Sequence, residues 1–131
     1  MIGADNSDSD KLKIASANDA FTTPLFTMDK TTGNLALAGS FTLPSTITAP
    51  GTTGNQTINK PTGRVNIAAA GTTITVTNNL VTANSHVIAW LDTAADATAK
   101  TCIAVAGSGS FVVTLNAAAT GEVPIGFLVV G

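Results

Sequence analysis

The chain has 131 residues, a formal net charge of −2 and only 11% charged residues, less than half the quarter usual for a soluble domain. This length suits one domain, or a small domain with an extension. Six Lys and Arg in the whole chain exclude a basic nucleic-acid surface, and no apolar run reaches the ~18 residues of a membrane span.

Thr (22) and Ala (21) make up a third of the residues, and there is no Tyr. The surface is therefore built from hydroxyls, amides and methyls rather than ions, which suits tight β packing and durable assemblies better than a soluble enzyme. Val, Ile, Leu, Phe and Trp total 34 residues, too many for a disordered chain of low net charge. The single Cys can form no intrachain disulfide. The start, Met-Ile-Gly-Ala-Asp-Asn, has neither the basic nor the apolar region of a secretion signal.

Apolar residues recur with period two, so the expected elements are strands. In chain order they fall at Lys11–Ala15, Leu25–Asp29 and Asn34–Ala38. Lys30-Thr31-Thr32-Gly33-Asn34 reads as a hairpin connection in which Gly33 supplies a positive φ. A ribbon this poor in apolar residues is marginal alone in water and needs a partner surface. Leu43 to Asn55 holds two Pro and two Gly among many hydroxyls and reads as a linker or extended crossing segment. The expected organisation is residues 1–53 as shaft and linker and residues 54–131 as a terminal domain. Strands follow at Arg64–Ala68, Thr72–Thr77, His86–Leu91, Thr101–Ala106, Ser110–Leu115 and Ile125–Val130, separated by Gly71, Asn78-Asn79, Gly107-Ser108-Gly109 and Gly121. Short strands at this spacing argue for a small antiparallel β-sandwich, jelly-roll-like, or a small barrel. The last strand is apolar on both faces, which requires a central or an intersubunit position.

Two stretches carry a resemblance. Gly3 to Ile14, followed by Leu25-Phe26-Thr27-Met28-Asp29-Lys30-Thr31-Thr32-Gly33-Asn34-Leu35, resembles the shaft segments of bacteriophage tail fibre and tailspike proteins, over roughly residues 3–43. Ile58 to Ile67, Val76 to Ser85 and Phe127 to Val130 are similar to a small terminal domain at the ends of phage fibre proteins, over residues 55–131. The resemblance implies a non-enzymatic virion protein: a homotrimer with a short trimeric β-ribbon shaft and a receptor-binding tip. The implied partners are a host cell-surface glycan or protein and other fibre or tail proteins. A head fibre or decoration protein without receptor binding is the alternative, and a polysaccharide-degrading enzyme a third reading. No segment attaching to a tail is visible, so the chain reads as the distal part of a longer fibre or as a very short one.

No cofactor or metal site is expected. His86 is the only His and lacks the His-x-His pattern of axial metal sites in fibre tips; a strand-start His is the simpler reading, and three copies on an axis the sharper one. Ser85 and His86 are adjacent on a strand and point to opposite faces, so with Asp92 they make no catalytic triad. Asp5, Asp8 and Asp10 lack the Gly and Glu of a calcium loop. Asp92 and Asp96 are the best carboxylate pair for sugar cleavage, but no cleft is evident around them. Cys102 reads as a small buried apolar residue. Trp90 shares a face with His86 and Ile88 and is most simply core, or else a sugar-stacking platform on the tip. Polar loops on a rigid framework usually carry binding. The loops 78–85, 92–100 and 117–122 therefore supply the candidate receptor-binding residues Asn84, Asp92, Asp96 and Lys100, with Trp90 beside them.

Overall fold

The computed structural model describes residues 2–5, 11–14, 25–29, 31–93 and 96–131, with the backbone alone at 2–5 and 11–13. Asp8 and Asp10 of the acidic run, Lys30 of the expected hairpin and Ala94-Ala95 of the 92–100 loop lie outside the described residues. The described chain is all-β. It divides into two compact units, Met1–Thr42 and Leu43–Gly131.

The first unit is one antiparallel sheet in the order β1 (Ile2–Asp5), β2 (Lys11–Ile14), β3 (Phe26–Met28), β4 (Leu35–Leu37). The hairpin between β3 and β4 forms as its residues dictate. Gly33 takes φ +71°, the Gly33 N–H donates to the Asp29 carbonyl at 2.7 Å, and the Asp29 carboxylate accepts the Thr31 and Thr32 N–H groups at 2.8 and 3.1 Å. The register aligns Ile2, Ile14, Phe26 and Leu37 in one cross-strand row. A second row holds Ala4, Leu12, Met28 and Leu35. Opposed residues share a face, so among the described side chains Ile14, Phe26, Met28, Leu35 and Leu37 make one apolar face. None of the unit's described side chains is buried; Leu35 is 56% exposed and Leu37 40%.

The second unit holds two four-stranded sheets. One has the order β6 (Gln56–Thr57), β8 (Thr73–Thr77), β11 (Ser110–Leu115), β10 (Cys102–Ala106). The other has the order β5 (Ser45–Ile47), β7 (Thr62–Ile67), β12 (Val123–Val130), β9 (His86–Leu91). Both are mixed rather than purely antiparallel, because β5 runs parallel to β7 and β6 parallel to β8. Alternate residues of the long strands form one shared core: Val65 and Ile67, Ile74 and Val76, Phe111 and Val113, Ile125 and Phe127 are all at most 2% exposed. Phe111 and Phe127 meet edge-on across the sheets, ring centroids 5.0 Å apart at 61°, an arrangement that aromatic quadrupoles favour. The Phe127 ring lies over Gly63, where an added Cβ would stand 2.8 Å from its Cζ and 2.7 Å from the Thr46 carbonyl oxygen.

Three expectations change. The unit boundary falls at Thr42/Leu43, not near Thr53, because residues 43–55 are anchored. Ser45–Ile47 pairs with β7. Ala49-Pro50-Gly51-Thr52 closes a turn with Gly51 at φ +82° and the Thr52 N–H on the Ala49 carbonyl, the type II arrangement that takes Pro then Gly. The buried Asn66 amide donates to the Ala49 and Thr52 carbonyls at 2.8 and 3.2 Å. Second, Ile2–Asp5 forms a strand beyond the expected ones; Gly3 and Asp5 are poor strand formers, and pairing with β2 supplies what local propensity does not. Third, Trp90 is not core. Val87, Ala89 and Leu91 pack inward, and Trp90 and Ile88 point outward, 44% and 56% exposed. All five residues from 87 to 91 are apolar, so only the pairing with β12 decides the phase. The doubly apolar last strand is central, with β7 on one edge and β9 on the other.

Phe127→Ala should cost about 3–5 kcal/mol, the range for truncating a buried Phe. Denaturant unfolding checks this, and an unchanged midpoint would show that the inter-sheet aromatic contact contributes nothing.

Candidate functional site

β9 runs into the 92–100 loop at the edge where it lies beside β10. A cavity of about 540 Å³ opens there, lined by Trp90, Leu91, Thr93, Asp96, Lys100 and Cys102 among others. A second hollow of about 300 Å³ shares Thr93 and Asp96 with it and continues to Thr120, Glu122 and Pro124. A third of about 400 Å³ shares Glu122 and Pro124 and reaches Arg64, Asn66 and Pro50. Neighbouring hollows share lining residues, and together they groove this end of β9, β12 and β7.

The expected site residues divide. Trp90, Asp92, Asp96 and Lys100 come together at this end of β9. Asn84 does not; it sits in the Thr82–Ser85 turn before β9, and the six residues of β9 separate it from the groove by roughly 20 Å at ~3.3 Å per residue. Asp92 is exposed and pairs with Arg64, Nη1 to Oδ2 3.1 Å. Both side chains keep solvent access, 30% for Arg64 and 41% for Asp92, so the pair contributes only about 0–1 kcal/mol. Lys100 reaches back with Nζ to the Asp96 carbonyl oxygen.

Asp96 is buried, which removes it from the surface a partner can touch. Asp96-Ala97-Thr98 starts an Asx turn: the Thr98 and Ala99 N–H groups donate to Oδ1 at 2.9 and 2.7 Å. Oδ2 accepts the Thr120 N–H and hydroxyl and the Gly121 N–H at 2.8, 2.9 and 3.2 Å. The carboxylate thus ties the 92–100 loop to the 117–122 loop. The Ala99 N–H, followed by the Thr98 and Gly121 N–H groups and the Thr120 hydroxyl, holds its carboxyl far below the usual carboxylate range, against an opposing push from burial. A carboxyl so held and so filled cannot act as the acid partner of Asp92. Asn116 does similar work beside it, its Oδ1 accepting the Lys100 and Thr101 N–H groups at 2.8 and 2.9 Å.

The remaining candidate groups are simpler. Ser85 Oγ accepts the Thr82 N–H at 3.0 Å. His86 stands exposed at the start of β9. Burial raises the Cys102 thiol above its ordinary value, which disfavours the nucleophilic thiolate. Sequence reasoning missed Arg64, Asn66 and Pro124, and reached Glu122 only as the end of the 117–122 loop. Arg64 meets Asp92 28 positions away, and the Glu122 carboxylate meets the Gly51 N–H 71 positions away. No local pattern reports such pairs. The Asp-x-Thr turn signature at Asp96 was legible, but its partners Thr120 and Gly121 were not.

No protein-family model matches the chain, and no curated protein or solved structure matches it.

A carboxyl whose folded-state pKa is depressed contributes stability above its unfolded pKa and loses it as pH falls. The wild type should therefore lose stability progressively below about pH 4, where an unfolded Asp titrates. Asp96→Asn should melt lower at neutral pH and show a flatter dependence below pH 4. Melting curves across pH check this; parallel curves for the two proteins would rule out the anchor.

Proposed function

We propose that the chain is a structural and adhesive protein of a bacteriophage virion, a homotrimer whose first unit forms a short β shaft and whose second unit forms a tip that binds the host cell surface. The observation that carries this reading is the apolar face of the β1–β4 sheet. A single sheet whose described side chains Ile14, Phe26, Met28, Leu35 and Leu37 make one apolar face with none fully buried is marginal in water. Further copies of the same chain are the cover that needs no second gene product. Threefold assembly and attachment to the host come from the resemblance to tail fibre shafts and tips. The groove supports a binding role for the second unit, because it places an exposed aromatic ring and an exposed ion pair on a rigid sheet. The charge-poor surface suits recognition by shape and hydrogen bonding with little electrostatic steering. Three linked copies then raise avidity without new contacts.

Light scattering should give three times 13.1 kDa, and Leu35→Asp with Leu37→Asp should release monomers by placing charge on the apolar face. A wild-type monomer at micromolar concentration would overturn the trimer. The labelled protein should decorate host bacteria; attachment to capsids and not to cells would replace the adhesive reading with the decoration reading.

A further inference from the structure

We propose that the groove from Trp90 to Arg64 binds a neutral sugar chain, with the Trp90 indole as its stacking platform flanked by the Arg64–Asp92 pair. The inference rests on the adhesive reading and takes it to a site and a ligand class.

The platform follows from Gly126. Trp90, Gly126 and Arg64 stand in one cross-strand row on the outer face. A Cβ at Gly126 would meet the indole Cε2, Cζ2 and Nε1 at 2.3, 2.4 and 2.6 Å. These three bonded ring atoms are nearly equidistant from one point, so the ring lies flat over the strand. One face is packed against the Gly126 backbone, and with the side chain 44% exposed the other is presented to solvent. The negative face of an indole attracts the polarised C–H groups of a pyranose. Beside it, Arg64 and Asp92 supply N–H donors and carboxylate acceptors, the groups that pair with hydroxyls.

The shape and the charge select the class. Trp90 and Arg64 are two strands apart, about 10 Å at the usual spacing, and a hollow continues from Arg64 to Pro50, Glu122 and Pro124, so the site suits a chain rather than a single small molecule. Its two cations, Arg64 and Lys100, stand among three carboxylates, Asp92, Asp96 and Glu122, so it carries no net positive charge. Arg64 is paired with Asp92, Asp96 is buried and filled, and Glu122 accepts the Gly51 N–H with both oxygens. An anionic polymer finds no unbalanced positive charge. A peptide strand cannot add within the Trp90–Arg64 row either, because β12 and β7 are each paired on both edges, and the open edge of β9 faces away from that row toward β10.

Trp90 is the single Trp and the chain has no Tyr, so tryptophan emission reads this site alone. The full chain is titrated with maltohexaose, cellohexaose and chitohexaose. At least one should give a saturable emission change, and Gly126→Ala, which pushes the indole off the strand, should weaken that titration about tenfold. Trp90→Ala, with an unchanged oligomer mass and melting curve, should lower cell decoration about tenfold. No emission change with any of the three at millimolar concentration overturns the proposal, as does undiminished decoration by Trp90→Ala. Decoration that survives periodate oxidation of the cell surface but not protease assigns the groove to a protein partner and also overturns it. Failure of the wild type to decorate any cell, with the emission change intact, overturns the adhesive reading and leaves the sugar site standing.

Discussion

Phe127 meeting Phe111 edge-on is the contact on which the second unit depends. It joins β12 to β11 and therefore one sheet to the other. Its position sets the phase of β12, because Val123, Ile125 and Phe127 must then face inward together. The phase of β12 sets that of both neighbours through the ladders, with Phe127 opposite Gly63 on β7 and Ala89 on β9. A side chain larger than hydrogen at position 63 would strike the ring. The outward row of Trp90, Gly126 and Arg64 is the other half of the same constraint: in a strand, residues next to the inward ones have nowhere to point but out.

A chain with few charges must hold its loops by other means. Here buried or half-buried Asx side chains do so. Asn66 ties the Pro50-Gly51 turn to β7. The fully buried Asn78 amide donates to the Lys60 carbonyl, and its carbonyl oxygen accepts the Leu80 N–H. Asp96 joins the two loops beside the groove. Each satisfies backbone groups that would otherwise be left dry, which costs more than the bond itself contributes.

The first unit presents the reverse case. Its hydrogen bonding is ordered, down to the Asp29 carboxylate closing the hairpin, yet none of its described side chains is fully buried. Hydrogen bonds alone contribute little net stability in water, whereas buried apolar area contributes about 25 cal/mol per Å². Its apolar face therefore accounts for the proposed assembly better than any feature of the second unit does.

The sequence by itself determined most of the strands and the turns between them; β1, β5 and β6 it did not mark. His86–Leu91 and Ser110–Leu115 have the expected bounds, and Gly33 takes the positive φ that its turn requires. These follow from period-two alternation and from glycine's freedom, both local properties of a few neighbouring residues. The tertiary structure decided what depends on distant partners. It placed residues 45–52 against β7, turned Trp90 outward in a strand apolar on both faces, and drew Asp96 inward onto donors 24 and 25 positions away. A polar residue in a loop looks the same in sequence whether water or a distant backbone amide satisfies it. Only long-range pairing distinguishes the two, and so only the folded chain separates the anchor Asp96 from the exposed Asp92.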